Sequence, residues 1–348
     1  MTDAVFAIPG DIESPTGGYA YDRHVLALLA GHDVHVSHLP LPGSFPHPTP
    51  GDLATTERIL AGLPADTVIL FDGLAFGALP AGVLRAIHRP IVAIVHHPLS
   101  FEPGLTEGRR HALHVGERAA LAFAKAVVVS SPTTRAVLSS EFGVPPERIA
   151  VAEPGTVRAP RARGSGGDPV LLTVGAITPR KGYDVLVEAL HRVADRPWRA
   201  TIVGSRTRDP ATAAALTARI ASRDLAHRIA LTGEIDDAKL ATLYDNADLF
   251  VLSSLYEGYG MVLAEAMARG LPIVSTTGGA AAETVPDDAA LKVPPGDAAT
   301  LAAAIGRMLD DPDLRRRAAD ASWRAGQALP GWDKTAAVIA DVIRAAAS

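Results

Sequence analysis

Two glutamates flanking a glycine turn, Glu257 and Glu265, have the types and spacing to do chemistry. They lie in the run Ser253-Ser-Leu-Tyr-Glu-Gly-Tyr-Gly-Met-Val-Leu-Ala-Glu-Ala-Met-Ala-Arg-Gly270, which follows an apolar, strand-like segment. Neither Gly258 nor Gly260 carries a Cβ, so the backbone there can pass close to a ligand. Tyr259 sits between them, and a helix is expected from about Met261 and Val262 to Gly270, a residue suited to ending one. Unpaired N–H groups at a helix start favour an anion such as phosphate. A carboxylate accepts two hydrogen bonds, which suits the vicinal hydroxyls of a sugar or ribose. One segment thus offers an anion site and two hydroxyl acceptors, as a nucleotide-sugar requires. The same letters also fit a strand, a turn and a helix with two surface glutamates.

A second segment, Gly175 to Gly182, follows another apolar run and carries Arg180 and Lys181. Two cations at a strand end can neutralise a diphosphate leaving group without a metal. The P-loop pattern Gly-x4-Gly-Lys-Ser/Thr is absent, which argues against ATP hydrolysis. Near the N-terminus, Thr16-Gly17-Gly18-Tyr19 repeats the logic of glycine before a helix, and by itself it is also an ordinary turn. Gly204-Ser205-Arg206 and Glu234-Ile235 follow further strand-like runs and are softer candidates for lining a nucleotide pocket. Gly278, Gly279 and Glu283 repeat the strand–glycine–helix theme.

Ten of the twelve histidines precede residue 115. His96 and His97 end the run Ile91–Val95, whereas His111 and His114 share one face of an expected helix. No Asp/Glu ligand motif accompanies them and no convincing Asp-x-Asp is present, so no metal is expected. Arg315-Arg316-Arg317 reads as a solvated helix face.

The elements that would position these groups alternate. Strands are expected at Val5–Ile8, Val34–Val36, Val68–Phe71, Ile91–Val95 and Val127–Ser130. After a Pro/Gly/Arg-rich stretch the pattern restarts with Val170–Val174, Ala200–Val203, Ile229–Thr232, Leu249–Ser253 and Pro272–Ser275. Leu186, Ala189, Leu190 and Val193 fall on one helical face, and Asp236 or Asp237 is available to cap a helix through Ala247. Such alternation implies α/β domains with parallel sheets, whose ligands bind at the carboxyl ends of the strands. With 348 residues, two domains are expected. Their bounds are taken as 1–160 and 170–328, with 161–169 as linker and 329–348 as a terminal helix.

Bulk properties narrow the function classes. Apolar residues make up 48% and charged residues 20%, ordinary for a packed protein. A net charge of −5 argues against nucleic acid as the main partner. The chain has no cysteine, which excludes disulfides and cysteine-based zinc sites and fits a reducing compartment. Neither a signal peptide nor a membrane-spanning run is evident. A cytoplasmic protein is expected, with peripheral contact at the inner face of the membrane left open.

Glu257-x7-Glu265 with its Gly-x-Gly turn resembles the motif of retaining GT-B glycosyltransferases, and its surroundings resemble glycosyltransferase family 4. The likeness includes Thr173–Gly182, Thr201–Gly204, Leu231–Ile235, Ala247–Val251 and Ile273–Glu283. It implies an α/β GT-B fold, two Rossmann-like domains facing across a cleft, with the terminal helix crossing back to the first. The implied reaction moves a hexosyl group from an NDP-sugar to a glycan, lipid-linked sugar or small metabolite, with retention and without metal or other cofactor. By the same resemblance Lys181 contacts the donor diphosphate, and Ala176 stands where the family usually has an arginine, so Arg180 is the substitute. Glu257 binds donor-sugar hydroxyls and the backbone of Gly258–Met261, while Glu265 binds the ribose. Gly17 and Gly18 lie near the donor phosphates. Gly204, Glu234, Ile235 and Gly258 through Val262 complete the donor set. His96 contacts sugar or acceptor, and Tyr19 and His97 join it on the acceptor side. A monomer or homodimer is expected. The same frame also serves phosphorylases, sugar-nucleotide epimerases and non-catalytic nucleotide-sugar binders.

Overall fold

A computed structural model describes residues 2–348 and divides the chain into two units. The first comprises Met1–Gly155 together with Pro330–Ser348; the second is the continuous stretch Thr156–Leu329.

The first unit is built on six parallel strands: β1 (Thr2–Pro9), β2 (Val34–Leu41), β3 (Val68–Asp72), β4 (Ile91–Val95), β5 (Ala126–Val129) and β6 (Ile149–Val151), in the order β2-β1-β3-β4-β5-β6. Every residue of β3 and β4 is buried, which is why these strands read as apolar runs rather than alternating ones, with Asp72 at the end of β3 as the one polar residue. The register sets Asp72, the last residue of β3, opposite Ile94 of β4. The chain reverses its direction of growth between β1 and β3, so the loops after these two strands diverge there. The helix Gly17–Leu28 opens on Thr16, whose hydroxyl accepts the Tyr19 N–H. The helix Trp332–Ala347 also belongs to this unit and buries Ala336, Ile339, Ala340 and Ile343. At its start, the Trp332 ring stacks on His24 and meets Tyr21 edge-on. Gly155 passes so close to this turn that a Cβ would lie 2.2 Å from the Trp332 nitrogen.

The second unit repeats the plan with β7 (Val170–Val174), β8 (Arg199–Val203), β9 (Ile229–Gly233), β10 (Leu249–Leu252), β11 (Ile273–Thr276) and β12 (Ala290–Val293), ordered β12-β11-β10-β7-β8-β9. Its switch point lies between β7 and β10. Leu186, Val187 and Leu190 of the helix Tyr183–Arg192 seal one face of the sheet together with Ile202, Val251 and Ile305. The helix Asp237–Asp245 is capped by Asp236, which accepts the Lys239 N–H. Leu263 and Met267 of the helix Met261–Ala268 pack the other face with Phe250 and Ile273.

Residues 161–169, expected as a linker, instead form part of the second unit. Ala162 donates to the Arg269 carbonyl, and Arg163 and Gly164 to that of Asp245, at 2.9 Å each. Arg161 pairs with Asp320, Arg163 with Asp245, and Asp248 accepts the Val170 N–H at 2.8 Å. Composition marks this stretch as irregular, which it is, but carboxylates distant in sequence hold it to the domain. The arginine run is also divided: Arg315 donates to the Met308 carbonyl at the end of the preceding helix, while Arg316 pairs with Asp313. Among the described residues no helix is long and apolar enough to cross a membrane.

Candidate active site

The second unit gathers its charged groups at the switch point. Lys181 and Arg180 lie in a short turn after β7, and Glu257 lies in the loop after the adjacent β10. Lys181 Nζ sits 2.6 Å from Glu257 Oε1, which also accepts the Ser254 hydroxyl at 2.6 Å. Arg180 Nη1 donates to Glu257 Oε2 at 3.1 Å and to the Tyr256 carbonyl at 2.8 Å. Burial alone would raise the Glu257 carboxyl, but the Lys181 and Arg180 charges and the two side-chain hydrogen bonds overrule it and hold the group down at about 2. Glu257 is therefore an anion at any working pH.

Backbone contacts make this arrangement rigid. Leu255 donates to the Arg180 carbonyl at 2.8 Å, tying the two loops together. Glu257 donates to the Gly278 carbonyl and accepts from Ala280. A Cβ at Gly278 would come within 2.3 Å of the Leu255 oxygen, so only glycine permits this crossing. At Gly175 a Cβ would lie 2.9 Å from Lys181 Cε, so that glycine makes room for the lysine stem. The family-typical arginine position, Ala176, carries no charge.

Gly260 caps the helix Met261–Ala268 in the left-handed region at φ 94°, leaving the Met261 and Val262 N–H groups for a ligand, while that of Leu263 closes on the Gly260 carbonyl at 2.8 Å. Gly258 and Tyr259 are buried in the turn before it, and Met261 and Val262 are half-buried. Glu265, one turn in, accepts the Tyr244 hydroxyl at 2.9 Å. Burial pushes its carboxyl up, against the pull of that hydrogen bond and of Arg269. Ile235 packs against the same apolar cluster, while Glu234 is exposed. Gly204 meets backbone rather than open space: a Cβ there would lie 2.0 Å from the Gly175 oxygen.

In the first unit, the loops after β1, β3 and β4 converge on His96. Its Nε2 lies 3.2 Å from Asp22 Oδ1 and 3.7 Å from Asp72 Oδ2. Gly18 packs on the ring edge, where a Cβ would approach Cδ2 to 3.2 Å, and Tyr21 meets the ring edge-on. Gly17 opens the helix that carries Asp22. Burial and the Asp22 charge push the Asp72 carboxyl up to about 7. Burial alone would lower His96, but the charge and hydrogen bond of Asp22 and the charge of Asp72 raise it. His97 turns to Glu102 at 2.6 Å, and the Tyr19 hydroxyl donates to the Pro9 carbonyl at 2.6 Å.

Asp22 and Asp72 were not singled out from the sequence. Their only signal was position: one in the helix behind a glycine pair, the other ending an apolar strand. Among the described residues, Asp22, Asp72 and His96 are the one cluster whose potential ligand atoms all lie within 4.8 Å. His111 is exposed, and His114 packs on Phe142. Glu117 also went unread; it accepts the Leu99 N–H at 2.9 Å, and burial raises its carboxyl to about 8.

Comparison with known proteins gives the family and the fold of the chain. A model described as Glycosyltransferase Family 4 matches residues 12–157, and one described as Glycosyl transferases group 1 matches residues 168–311. The MMP alpha-(1->4)-mannosyltransferase of Mycolicibacterium hassiacum is 30% identical, over 84% of this chain and 74% of that one. Sucrose-phosphate synthase from Thermosynechococcus elongatus superposes with a TM-score of 0.82 at 23% identity, covering 98% of both chains. Anabaena HepE in complex with UDP-glucose does so at 0.76 and 19%, covering 98% of this chain and 99% of that one.

Proposed function

The chain belongs to glycosyltransferase family 4 and has the GT-B fold, and from that premise we propose that it moves a hexosyl group from an NDP-sugar to an acceptor hydroxyl, with retention and without a metal. The observation that carries this reading is Glu257 held as an anion between Lys181 and Arg180, next to the free helix start at Met261. Two cations against one carboxylate leave a net positive charge, which suits a departing diphosphate. Arg180 supplies the guanidinium that Ala176 lacks.

Glu257 then serves as a fixed acceptor for donor-sugar hydroxyls, and Glu265 for the ribose. The first unit supplies His96 on the acceptor side. In the reaction the C1–oxygen bond to the diphosphate breaks while the acceptor oxygen bonds C1 on the same face. The acceptor proton passes to the leaving phosphate oxygen. Neither glutamate needs to be a nucleophile. A UDP-sugar is the first donor to try, since UDP-glucose is what the Anabaena neighbour is described as holding.

The test is a thermal-shift screen of NDP-sugars, followed by turnover of the stabilising donor with candidate acceptors in EDTA. NMR of the product gives the anomeric configuration. Retention with undiminished rate in EDTA supports the reading. Inversion, loss of rate in EDTA, phosphate-dependent release of the sugar, or epimerisation without acceptor would each overturn it, and binding without turnover would mark a non-catalytic binder.

A further inference from the structure

Two buried carboxyls beside one imidazole pose a charge problem that the glycosyl transfer does not explain. Asp22 and Asp72 have essentially no exposed side-chain surface, whereas the His96 side chain is 20% exposed. With both carboxyls ionised and His96 cationic, the cluster would retain one negative charge away from water. Burying a charge without its counterpart is costly.

The oxygens show where the balancing proton belongs. Asp22 Oδ1 faces His96 Nε2, and Asp72 Oδ1 accepts the Leu74 N–H at 2.8 Å. That leaves Asp22 Oδ2, and Asp72 Oδ2, which stands 3.7 Å from His96 Nε2. Asp22 Oδ2 is buried with no hydrogen-bond partner, and each of the two carboxyls brings an oxygen within 4.8 Å of the other and of the His96 ring nitrogen. A proton on Asp72 gives the orphaned oxygen its donor and brings the cluster, with an imidazolium, to neutrality.

We propose that Asp22 and Asp72 are positioning residues for His96: a protonated Asp72 donates to Asp22, and Asp22 holds the ring as an imidazolium, so that His96 meets its ligand as a hydrogen-bond donor through Nδ1 and not as a base. The ring orientation fits. Its Cδ2–Nε2 edge lies on Gly18 and Asp22, which leaves Nδ1 as the opposite corner, and no described residue hydrogen-bonds that atom. The ionisable groups against the ring are Asp22, Asp72 and Tyr21; the Tyr21 hydroxyl donates to the Ala152 carbonyl and burial keeps it protonated. The ligand class this donor fits is an oxygen acceptor, either a hydroxyl or an anionic oxygen. The proposal rests on the reading of His96 as an acceptor-side group only for the identity of that ligand.

Side-chain 1H–15N NMR of the full-length protein, from about pH 5 to about pH 9, tests it directly, because nitrogen shifts distinguish imidazolium from the two neutral tautomers. His96 is expected to stay cationic above the range in which an ordinary histidine loses its proton, the direction in which the Asp22 and Asp72 charges push it. The variants should be asymmetric. Asp72→Asn keeps a neutral donor to Asp22, so His96 stays cationic. Asp22→Asn removes the ionised partner, so its titration falls by about one unit or more. Asp22→Glu, which restores a carboxylate, should recover most of that fall and guards against a misfolded Asn variant.

A wild-type His96 that is neutral at pH about 7 overturns the proposal. So does an Asp72→Asn variant that falls as far as Asp22→Asn, or a divalent metal bound stoichiometrically by the purified protein, since the metal would then balance the charge. The measurement needs no turnover. A neutral His96 would sink the proton-sharing pair and leave the transferase reading standing, whereas an imidazolium in a protein that uses no NDP-sugar would do the reverse.

Discussion

The Glu257 cluster and the His96 cluster are built on the same plan with opposite arithmetic. Each sits at the carboxyl ends of a parallel sheet, at or beside its switch point, and each packs carboxyls against cationic side chains out of water. Around Glu257 there are two cations and one carboxylate; around His96 there are two carboxyls and one imidazole. The direction of the proton shifts follows from that count: Glu257 is held down at about 2, while Asp72 is pushed up to about 7. Similar burial thus yields a permanent anion in one place and a stored proton in the other, because the surplus charge has opposite sign. A positive surplus suits a diphosphate, and a negative one recruits protons.

The comparison can be broken at several points. The largest effect is expected from Lys181→Ala, which removes one of the two cations and with it the whole positive surplus. Turnover of the cognate donor should fall by about 10²–10³-fold with a smaller change in donor affinity, as measured by steady-state kinetics. Unchanged kcat would show that the surplus has no catalytic role.

Next comes the acid limb of stability. The Glu257 carboxyl titrates lower in the folded than in the unfolded chain, so its stabilisation is complete above about pH 4.5 and is lost as pH falls through about 2. The contribution is about 3 kcal/mol, and chemical denaturation of Glu257→Gln across that window should lack this slope. Asp72 has the opposite sign. Its folded carboxyl titrates higher, so the native state holds the extra proton, and the related stability is present below about pH 4 and lost as pH rises through about 7. Denaturation of Asp72→Asn should therefore show a flatter dependence between these limits, at the neutral end rather than the acid end. If both variants altered the same limb, the two clusters would not differ as described.

Smaller effects sharpen the picture. Glu265→Ala should weaken nucleotide binding by about tenfold in calorimetry, the worth of about one hydrogen bond to a charged group. Gly18→Ala places a methyl 3.2 Å from His96 Cδ2, which the ring must yield by a few tenths of an ångström. With Gly18 read beside the donor phosphates and packed on His96, a modest weakening of both donor binding and acceptor KM is expected, and unchanged donor binding would move Gly18 to the acceptor side.

How legible the molecule was depends on whether the information is local. Buried parallel strands are largely apolar runs, so Ile91–Val95, and Val170–Val174 with its single Thr173, stand in the sequence as they do in the fold. The Glu257–Glu265 segment was legible because a strand, a glycine turn and a helix follow one another without a gap. Asp22 and Asp72 were not, since their meeting with His96 is made by strand order alone: β1, β3 and β4 are neighbours in the sheet. The tether of residues 161–169 was hidden for the same reason, because Asp245 and Asp248 come from the middle of the domain's sequence, 82 and 78 residues beyond their partners Arg163 and Val170. Gly204 shows the converse. Its spacing after a strand suggests close approach to a ligand, but its missing side chain makes room for the Gly175 carbonyl.

The helix Trp332–Ala347 sets the timetable of synthesis. The second unit is one continuous stretch, complete once Leu329 has left the ribosome. The first unit is begun earlier and finished later, because its closing helix is made after the whole of its neighbour. Until then the apolar surface that receives Ile339 and Ile343 is open, and Tyr21, which backs His96, lacks the Trp332 ring behind it. The unit begun first is therefore the one that waits, and the nascent chain carries its sticky face throughout the making of the other.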